Sequence, residues 1–360
     1  MKSIFVVVAS FALLFNFGCE SKHEEEESEI KLLVTSPLEK DTIVTKEYVS
    51  QIRSVSHIEL RTLEKGYLHK IFVDEGQSVR KGQLMFQIMP MILEAEQQKA
   101  KAEAGFAEIE YQNTKSLADS NVVSRNELAL AKARLDKAKA ELALANVHLA
   151  FTEVRAPFDG IMDQFQVRLG SLVDEGDLLT TLSDNSRMWV YFNVPEAEYL
   201  DYKMRSGQNE KEKVKLMMAN HELFEYPGVV ETIEADFNNE TGNIAFRATF
   251  PNPKGLLRHG QTGNVLVEVP LKKALIIPQK ATFEVLEKKF VFVVDKDNVV
   301  HTREISIGAE MPDLYVITSG LSTDDKILLE GIRKVKENEK IQFDYEKPDA
   351  VIAGLKVYSE

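Results

Sequence analysis

The spacing of apolar residues changes character along the chain, and each change marks an element. Ile4–Phe17 is a nearly unbroken apolar run, and residues 20–29 then contain no apolar residue at all. Two later stretches, 66–88 and 160–182, carry apolar positions in short runs broken by glycine, as strands separated by turns do. Between them, 92–118 and 125–150 are rich in Ala, Glu, Lys, Gln and Leu and lack proline, the composition of strong helix formers. Leu128, Ala131, Leu135, Ala138, Leu142, Ala145 and Leu149 recur at steps of three and four, which predicts one coiled-coil seam. Leu93, Gln97, Ala100, Ala104, Ala107, Tyr111, Thr114 and Ala118 do the same on the first arm. Residues 119–124 form the turn, and Ser124 with Glu127 makes a capping box for the second helix. The result is an antiparallel hairpin with arms of ~40 Å at 1.5 Å rise per residue.

The glycine-punctuated stretches are two copies of one motif. Gly66, Gly76 and Gly82 recur as Gly160, Gly170 and Gly176 at identical spacing. Val73, Val79, Leu84 and Ile88 recur in register as Val167, Val173, Leu178 and Leu182. Two such halves complete one small β-sandwich by pairing with each other. Pro157, just before the second copy, bars a helix from running into it.

The paired half-motifs resemble a biotinyl/lipoyl-like domain. A carrier of biotin or lipoate presents a lysine on a tight turn joining its halves, whereas here the join is the hairpin. Half-motifs with an inserted hairpin resemble the periplasmic adaptors, or membrane fusion proteins (HlyD-like family), of tripartite efflux pumps, over about Cys19 to Ile341. Thr152–Ile161 (TEVRAPFDGI) looks like a family hallmark, as do Phe250–Gln261 and Gly320–Asp325. In the latter two, His259, Gln261 and Asp324 replace the family's Pro, Met and Gly. The resemblance implies that the hairpin tip docks on a TolC-like outer-membrane channel through an Arg-x3-Leu-x6-Ser pattern. Here Asn113, Leu117 and Ser124 occupy those positions, with Lys115 or Arg125 as substitutes for the missing arginine. Ser124 and Leu117 read equally as a helix cap and a seam residue.

Past the second half-motif, 187–194, 227–233, 243–250 and 262–269 read as strands, with a short helix at 195–203 and a turn at 238–242. This spacing suggests a small β-barrel. By the resemblance, the barrel also takes in a strand at about 42–53. Further strands, at 276–278, 290–295, 315–321 and 326–331, resemble the membrane-proximal domain of adaptors.

The expected fold is therefore mostly β with an inserted α-helical coiled-coil hairpin, in an elongated modular chain. Its parts are a signal peptide (1–18), an acidic tether (19–36), a lipoyl-like β-sandwich (57–90 plus 151–184), the hairpin (91–150), a β-barrel (37–56 plus 185–270), a membrane-proximal β-domain (271–345) and a tail (346–360).

Composition narrows function mainly by exclusion. Cys19 is the only cysteine among 360 residues, which excludes an internal disulfide and thiolate metal clusters. A net charge of −13 argues against general nucleic-acid binding. Cys19 follows one lysine, the apolar run and Gly18, the form of an export signal, and it resembles a lipobox cysteine that receives a diacylglyceryl group. The stretch 20–29, with six Glu against one Lys, self-repels and predicts a solvated tether. His221-Glu222 lacks the second histidine of a zinc-protease motif, and no P-loop or G-x-S-x-G occurs. Met89, Met91, Met217 and Met218 read as core filling rather than soft-metal ligands.

No cofactor and no enzymatic activity are expected. The resemblance implies an adaptor in the periplasm of a Gram-negative bacterium, held on the inner membrane by lipid on Cys19. Its partners would be an inner-membrane transporter of the resistance-nodulation-division type, a TolC-like channel, and further copies of itself in a trimer or hexamer. Alternatives are an adaptor for an ATP-driven exporter and, from another class, a biotin or lipoate carrier.

Overall fold

The computed structural model describes residues 32–205 and 212–355. The signal, Cys19 and the acidic stretch 20–29 lie outside the described residues. The described residues group into two compact units, those within Lys46–Glu268 and those within Met1–Thr45 and Val269–Glu360.

In the first unit the two half-motifs interlock. The strand Gly66–Ile71 of one copy pairs with Leu172–Val173 of the other, Gly66 opposite Val173. The reciprocal pair joins Ser78–Val79 to Gly160–Met162, Val79 opposite Gly160. Backbone bonds follow the same exchange. Gly76 donates to Met162 and Gly170 to Leu68, while Gly82 donates to Ala156 and Gly176 to Thr62. Each contact recurs at the offset of the sequence repeat, so the halves are related by a local two-fold. Neither half completes its sheet alone, and isolated short strands are not stable in water. Phe86, Met85, Ile88, Leu179 and Leu182, all fully buried, form the shared core.

The first glycine of each copy sits where no side chain fits. A Cβ on Gly160 would lie 2.7 Å from the Ser183 carbonyl oxygen, and one on Gly66 would lie 2.8 Å from Ile88 Cγ2. The other four motif glycines have φ between 74° and 91°, the left-handed region that glycine enters freely.

The hairpin consists of α1 (Met91–Asp119) and α2 (Arg125–Phe151). Its seam is narrow: Ala104, Ala107, Ala131, Leu135 and Ala138 are the buried residues. Arg134 bonds Glu110 at 2.8 Å, Lys139 bonds Glu108 at 2.7 Å, and Gln97 donates to Asn146 across the pair. At the root, His148 pairs with Glu64. α2 ends at Phe151, well before Pro157, because Glu153–Arg155 joins the strand Leu84–Ile88. The proline therefore does not end the helix; the sheet does.

Two long strands continue from the hybrid of half-motifs into the barrel. Leu38–Arg61 and Leu178–Pro195 pair antiparallel from Ser50–Phe192 to Arg61–Leu178, with a register shift between Ser54 and Ser56. The barrel ring runs from Leu178–Pro195 through Asn243–Pro251, Gly228–Ile233, Lys213–Met218 and Thr262–Pro278. Leu38–Arg61 pairs with both end members and closes it. Buried and half-buried residues alternate along Asn243–Pro251, as a barrel requires. Ile52, Val190, Phe192, Leu216, Phe246 and Phe250 fill the inside. α3 (Glu196–Arg205) packs Tyr199 and Tyr202 edge-on against Phe246.

The second unit corrects two expectations. Leu32–Thr35, placed at the end of the tether, is a strand between Lys326–Glu330 and Phe343–Tyr345. Val34 is fully buried there; an apolar Leu-Leu-Val run cannot stay solvated when a sheet edge is available to cover it. Within the expected tail, residues 348–355 are likewise part of the domain. α4 (Pro348–Leu355) lays Val351 into the core with Ile277, Val291, Ile327 and Leu329. Asp324, where the related motif has glycine, is not in a positive-φ conformation, whereas Gly320 is, at 99°. That turn is held by Asp325, which accepts from the Ser322 amide and hydroxyl and from Arg303.

Candidate functional site

The hairpin tip is the clearest candidate for a contact made with another molecule. Ser120 follows the last turn of α1, Asn121 turns the chain at φ 57°, and the Val122 amide bonds back to the Leu117 carbonyl. Ser124 then caps α2, its hydroxyl accepting the Glu127 amide at 3.1 Å. Asn113 and Leu117, one turn apart on α1, are both exposed. The structure thus brings Asn113 and Leu117 onto one face and places Ser124 across the turn, with its hydroxyl engaged as a cap. Leu117 does not belong to the seam, since it is 45% exposed. Lys115 and Arg125 are exposed as well.

Sequence reasoning missed the most prominent tip residue. Val122 is 68% exposed and stands beside Leu117 at the apex. It also missed apolar residues off the seam, including Phe106 at 72% and Ile109 at 64% exposure on α1, and Leu130 and Leu144 on α2. A heptad reading finds only the face that two helices share. It does not read apolar residues that stand among the charged positions elsewhere on each helix.

The six motif glycines, Gly66, Gly76, Gly82, Gly160, Gly170 and Gly176, shape the hybrid sheets and carry no side-chain chemistry. The barrel presents two concavities. One, of about 800 Å3, is polar and lined by Tyr48, Arg53, Tyr191, Asn193 and Glu198. There Arg53 lies over the Tyr191 ring at 5.3 Å and Lys46 bonds Glu198 at 3.2 Å. Burial, and then the hydrogen bond to Glu198, push the Tyr48 phenol well above its ordinary value. Nearby, Arg247 lies 4.4 Å over Trp189. The other cavity, of about 480 Å3, lies between Met218–Glu222 and Leu256–Thr262 and is mostly apolar.

In the second unit His301 sits between Asp295 at 3.1 Å and Glu337 at 3.6 Å. Backbone bonds hold Asp295 below the ordinary carboxylate range, and bonds from Thr302 do the same for Glu337. Among the described residues no three His, Cys, Asp or Glu side chains are placed to hold a metal ion. No helix among them is long and apolar enough to cross a membrane.

Comparison with known proteins gives a consistent picture. Residues 56–184 match the barrel-sandwich hybrid domain of RND membrane fusion proteins, 187–271 their beta-barrel domain, and 273–334 their C-terminal permuted SH3 domain. The efflux pump periplasmic linker BepD of Brucella suis is 29% identical over 328 residues, which is 84% of this chain and 82% of the relative. The multidrug resistance protein MexA of Pseudomonas aeruginosa is 27% identical over 295 residues, 79% of this chain and 77% of the relative. Among solved structures, a MacA–MexA chimera with the Pseudomonas aeruginosa MexA α-hairpin domain aligns with TM-score 0.60 and 20% identity. It covers 80% of this chain and 98% of the chimera. A putative efflux transporter from Bacteroides eggerthii aligns with TM-score 0.53 and 20% identity, over 85% and 97% of the two chains. These two likenesses establish the fold.

Proposed function

Because the chain belongs to the membrane fusion proteins of resistance-nodulation-division (RND) efflux pumps, we propose that it couples an RND transporter of the inner membrane to a TolC-like channel of the outer membrane. The adaptor role in tripartite efflux follows from the family. The observation that carries the specific reading is the exposed Leu117–Val122 apex on a hairpin built from helices of 29 and 27 residues. An apolar knob on a long, charged rod suits insertion between helices of a partner. The channel takes the tip, and the barrel and the domain 271–345 face the pump. Energy for transport comes from the pump, and this chain acts by binding and sealing rather than by catalysis.

Lipid on Cys19 holds the protein on the periplasmic side of the inner membrane, and two or more acyl chains suffice for stable anchoring. Closing a tube requires several copies, a trimer or hexamer. The exposed Phe106, Ile109, Leu130 and Leu144 supply lateral contacts between hairpins. An adaptor for an ATP-driven exporter is the weaker reading, because all three matched domains are those of RND fusion proteins. A biotin or lipoate carrier has against it the hairpin that replaces the tight lysine-bearing turn.

Leu117→Asp is expected to abolish efflux while leaving the protein folded and membrane-bound; unchanged drug susceptibility in a complemented deletion strain removes the tip assignment. Cys19→Ser is expected to move the protein from the membrane to the soluble fraction, and intact-mass measurement should find a lipid adduct on the unmutated chain. A biotin or lipoyl mass on a lysine would overturn the adaptor reading.

A further inference from the structure

Two histidines far apart in sequence meet where the hybrid domain gives way to the barrel. His57 lies on the strand Leu38–Arg61, opposite Ser183, and His259 lies in the barrel loop before Gly260. Their rings stack, with centroids 3.9 Å apart and planes 12° from parallel. The stack spans the register shift between Ser54 and Ser56. On one side of that bulge, the paired strands carry Ile58 and Leu60 into the hybrid core. On the other side they carry Ile52 and Val190 into the barrel. A bulge interrupts the ladder and bends the strand, so the stack bridges the junction of the two modules.

The protonation state of this bridge is written in its hydrogen bonds. The Ser54 backbone amide donates to His259 Nδ1 at 3.3 Å. A backbone amide can only donate, so that nitrogen must be bare and the ring neutral. His57 Nδ1 bonds the Ser183 hydroxyl at 2.8 Å, which either donor role satisfies. The charged groups around the pair come from each packed element. Arg53 faces His259 from the same strand as His57, and Arg258 precedes it on its own loop. Asp184 is engaged by the Ser186 amide, and Glu59 by Arg61. None of these carboxylates bonds either imidazole. A proton on His259 would displace the Ser54 bond and set a cation beside Arg53.

We propose that the His57–His259 stack is a proton-operated latch between the hybrid domain and the barrel, closed while His259 Nδ1 accepts the Ser54 amide and released when a proton takes that nitrogen. Burial first, then His57 and Arg53, hold His259 below the ordinary histidine value. A lowered value means the closed contact is at full strength above about pH 6.5 and is lost as the pH falls through the lower value of His259. Acidification thereby frees the hinge, and the adaptor's two modules change their relative angle.

Pulsed spin-label distance measurement on the full chain tests this. Cys19→Ser leaves Lys81→Cys in the hybrid domain and Glu240→Cys in the barrel as the only label sites. Between about pH 7.5 and about pH 5, a second distance population should grow at the expense of the first, with a midpoint below the ordinary histidine value. The closed-to-open ratio should change up to tenfold per pH unit across that window. His57→Phe with His259→Phe keeps an aromatic stack that cannot be charged and should hold the first population throughout. His259→Gln retains an acceptor for the Ser54 amide and should do the same, giving a second check if the double variant fails to fold. A single unchanging population in the parent chain overturns the latch, and so does a pH response that persists in either folded variant.

Discussion

The hybrid domain and the hairpin inserted into it reach stability by opposite routes. In the hybrid domain, residues ninety-odd positions apart exchange strands, and glycines let backbones touch. Its core is made of Phe86, Ile88, Leu179 and Leu182, each fully buried. In the hairpin, partners are helical neighbours or face each other across one seam, and the seam is mostly alanine. The first arrangement specifies a shape; the second specifies a length. The rod has a thin core and leaves Phe106, Ile109, Leu130 and Leu144 exposed, whereas the module at its base buries its large apolar residues within itself.

The two regions should therefore respond to substitution very differently. Phe86→Ala should cost about 4 kcal/mol, since a fully buried phenylalanine leaves a cavity that an interlocked sheet cannot collapse. Gly160→Ala should cost about 3 kcal/mol, the upper end for overpacking, because the new Cβ meets a backbone carbonyl rather than a side chain that can move aside. Leu135→Ala, the largest deletion available in the buried seam, should cost about 2 kcal/mol, the low end for this change. Native-state hydrogen exchange resolves the regions separately in a multidomain chain. If Leu135→Ala deprotected the hairpin as strongly as Phe86→Ala deprotects the hybrid sheets, the contrast would fail.

Much of this division was legible in the residues alone. Glycine spacing exposed the repeat because each glycine answers a fixed backbone demand, and a demand of that kind leaves the same residue in both copies. Ala, Glu, Lys and Leu at steps of three and four exposed the hairpin because a helix needs only its own neighbours. What was hidden depends on partners far along the chain. Leu32–Thr35 is four residues long and becomes a strand only beside Lys326–Glu330. Pro348–Leu355 is two turns of helix whose place is set by the pocket that receives Val351. His57 and His259 stack only because the barrel closes. At the tip, Leu117 and Ser124 are singled out only through a resemblance, and Val122 is not, because a turn's exposed side has no periodicity to betray it.

Local devices offer the finest test, since each accepts a backbone amide three residues away and should matter least to the whole. Ser124→Ala removes the cap of α2 and should cost about 1 kcal/mol, seen as faster exchange at residues 125–128 with the hybrid sheets unchanged. Ser124→Asp restores an acceptor and should reverse it. Asp325 plays the same part in the turn at 322–325, but as a charge. Burial opposes its ionisation, yet bonds from Ser322 and Arg303 outweigh this and hold its carboxyl below the ordinary value. The turn is therefore at full strength above about pH 4 and is lost as the pH falls through the lower, folded value. Asp325→Asn should loosen residues 320–326 at neutral pH and erase their acid response. The effect should be the smallest of the series, because the partner Arg303 is half-exposed and solvent screens such pairs. A local cap that proved to govern the whole domain, with Ser124→Ala or Asp325→Asn unfolding sheets they do not touch, would mean that local and long-range order are not separable here.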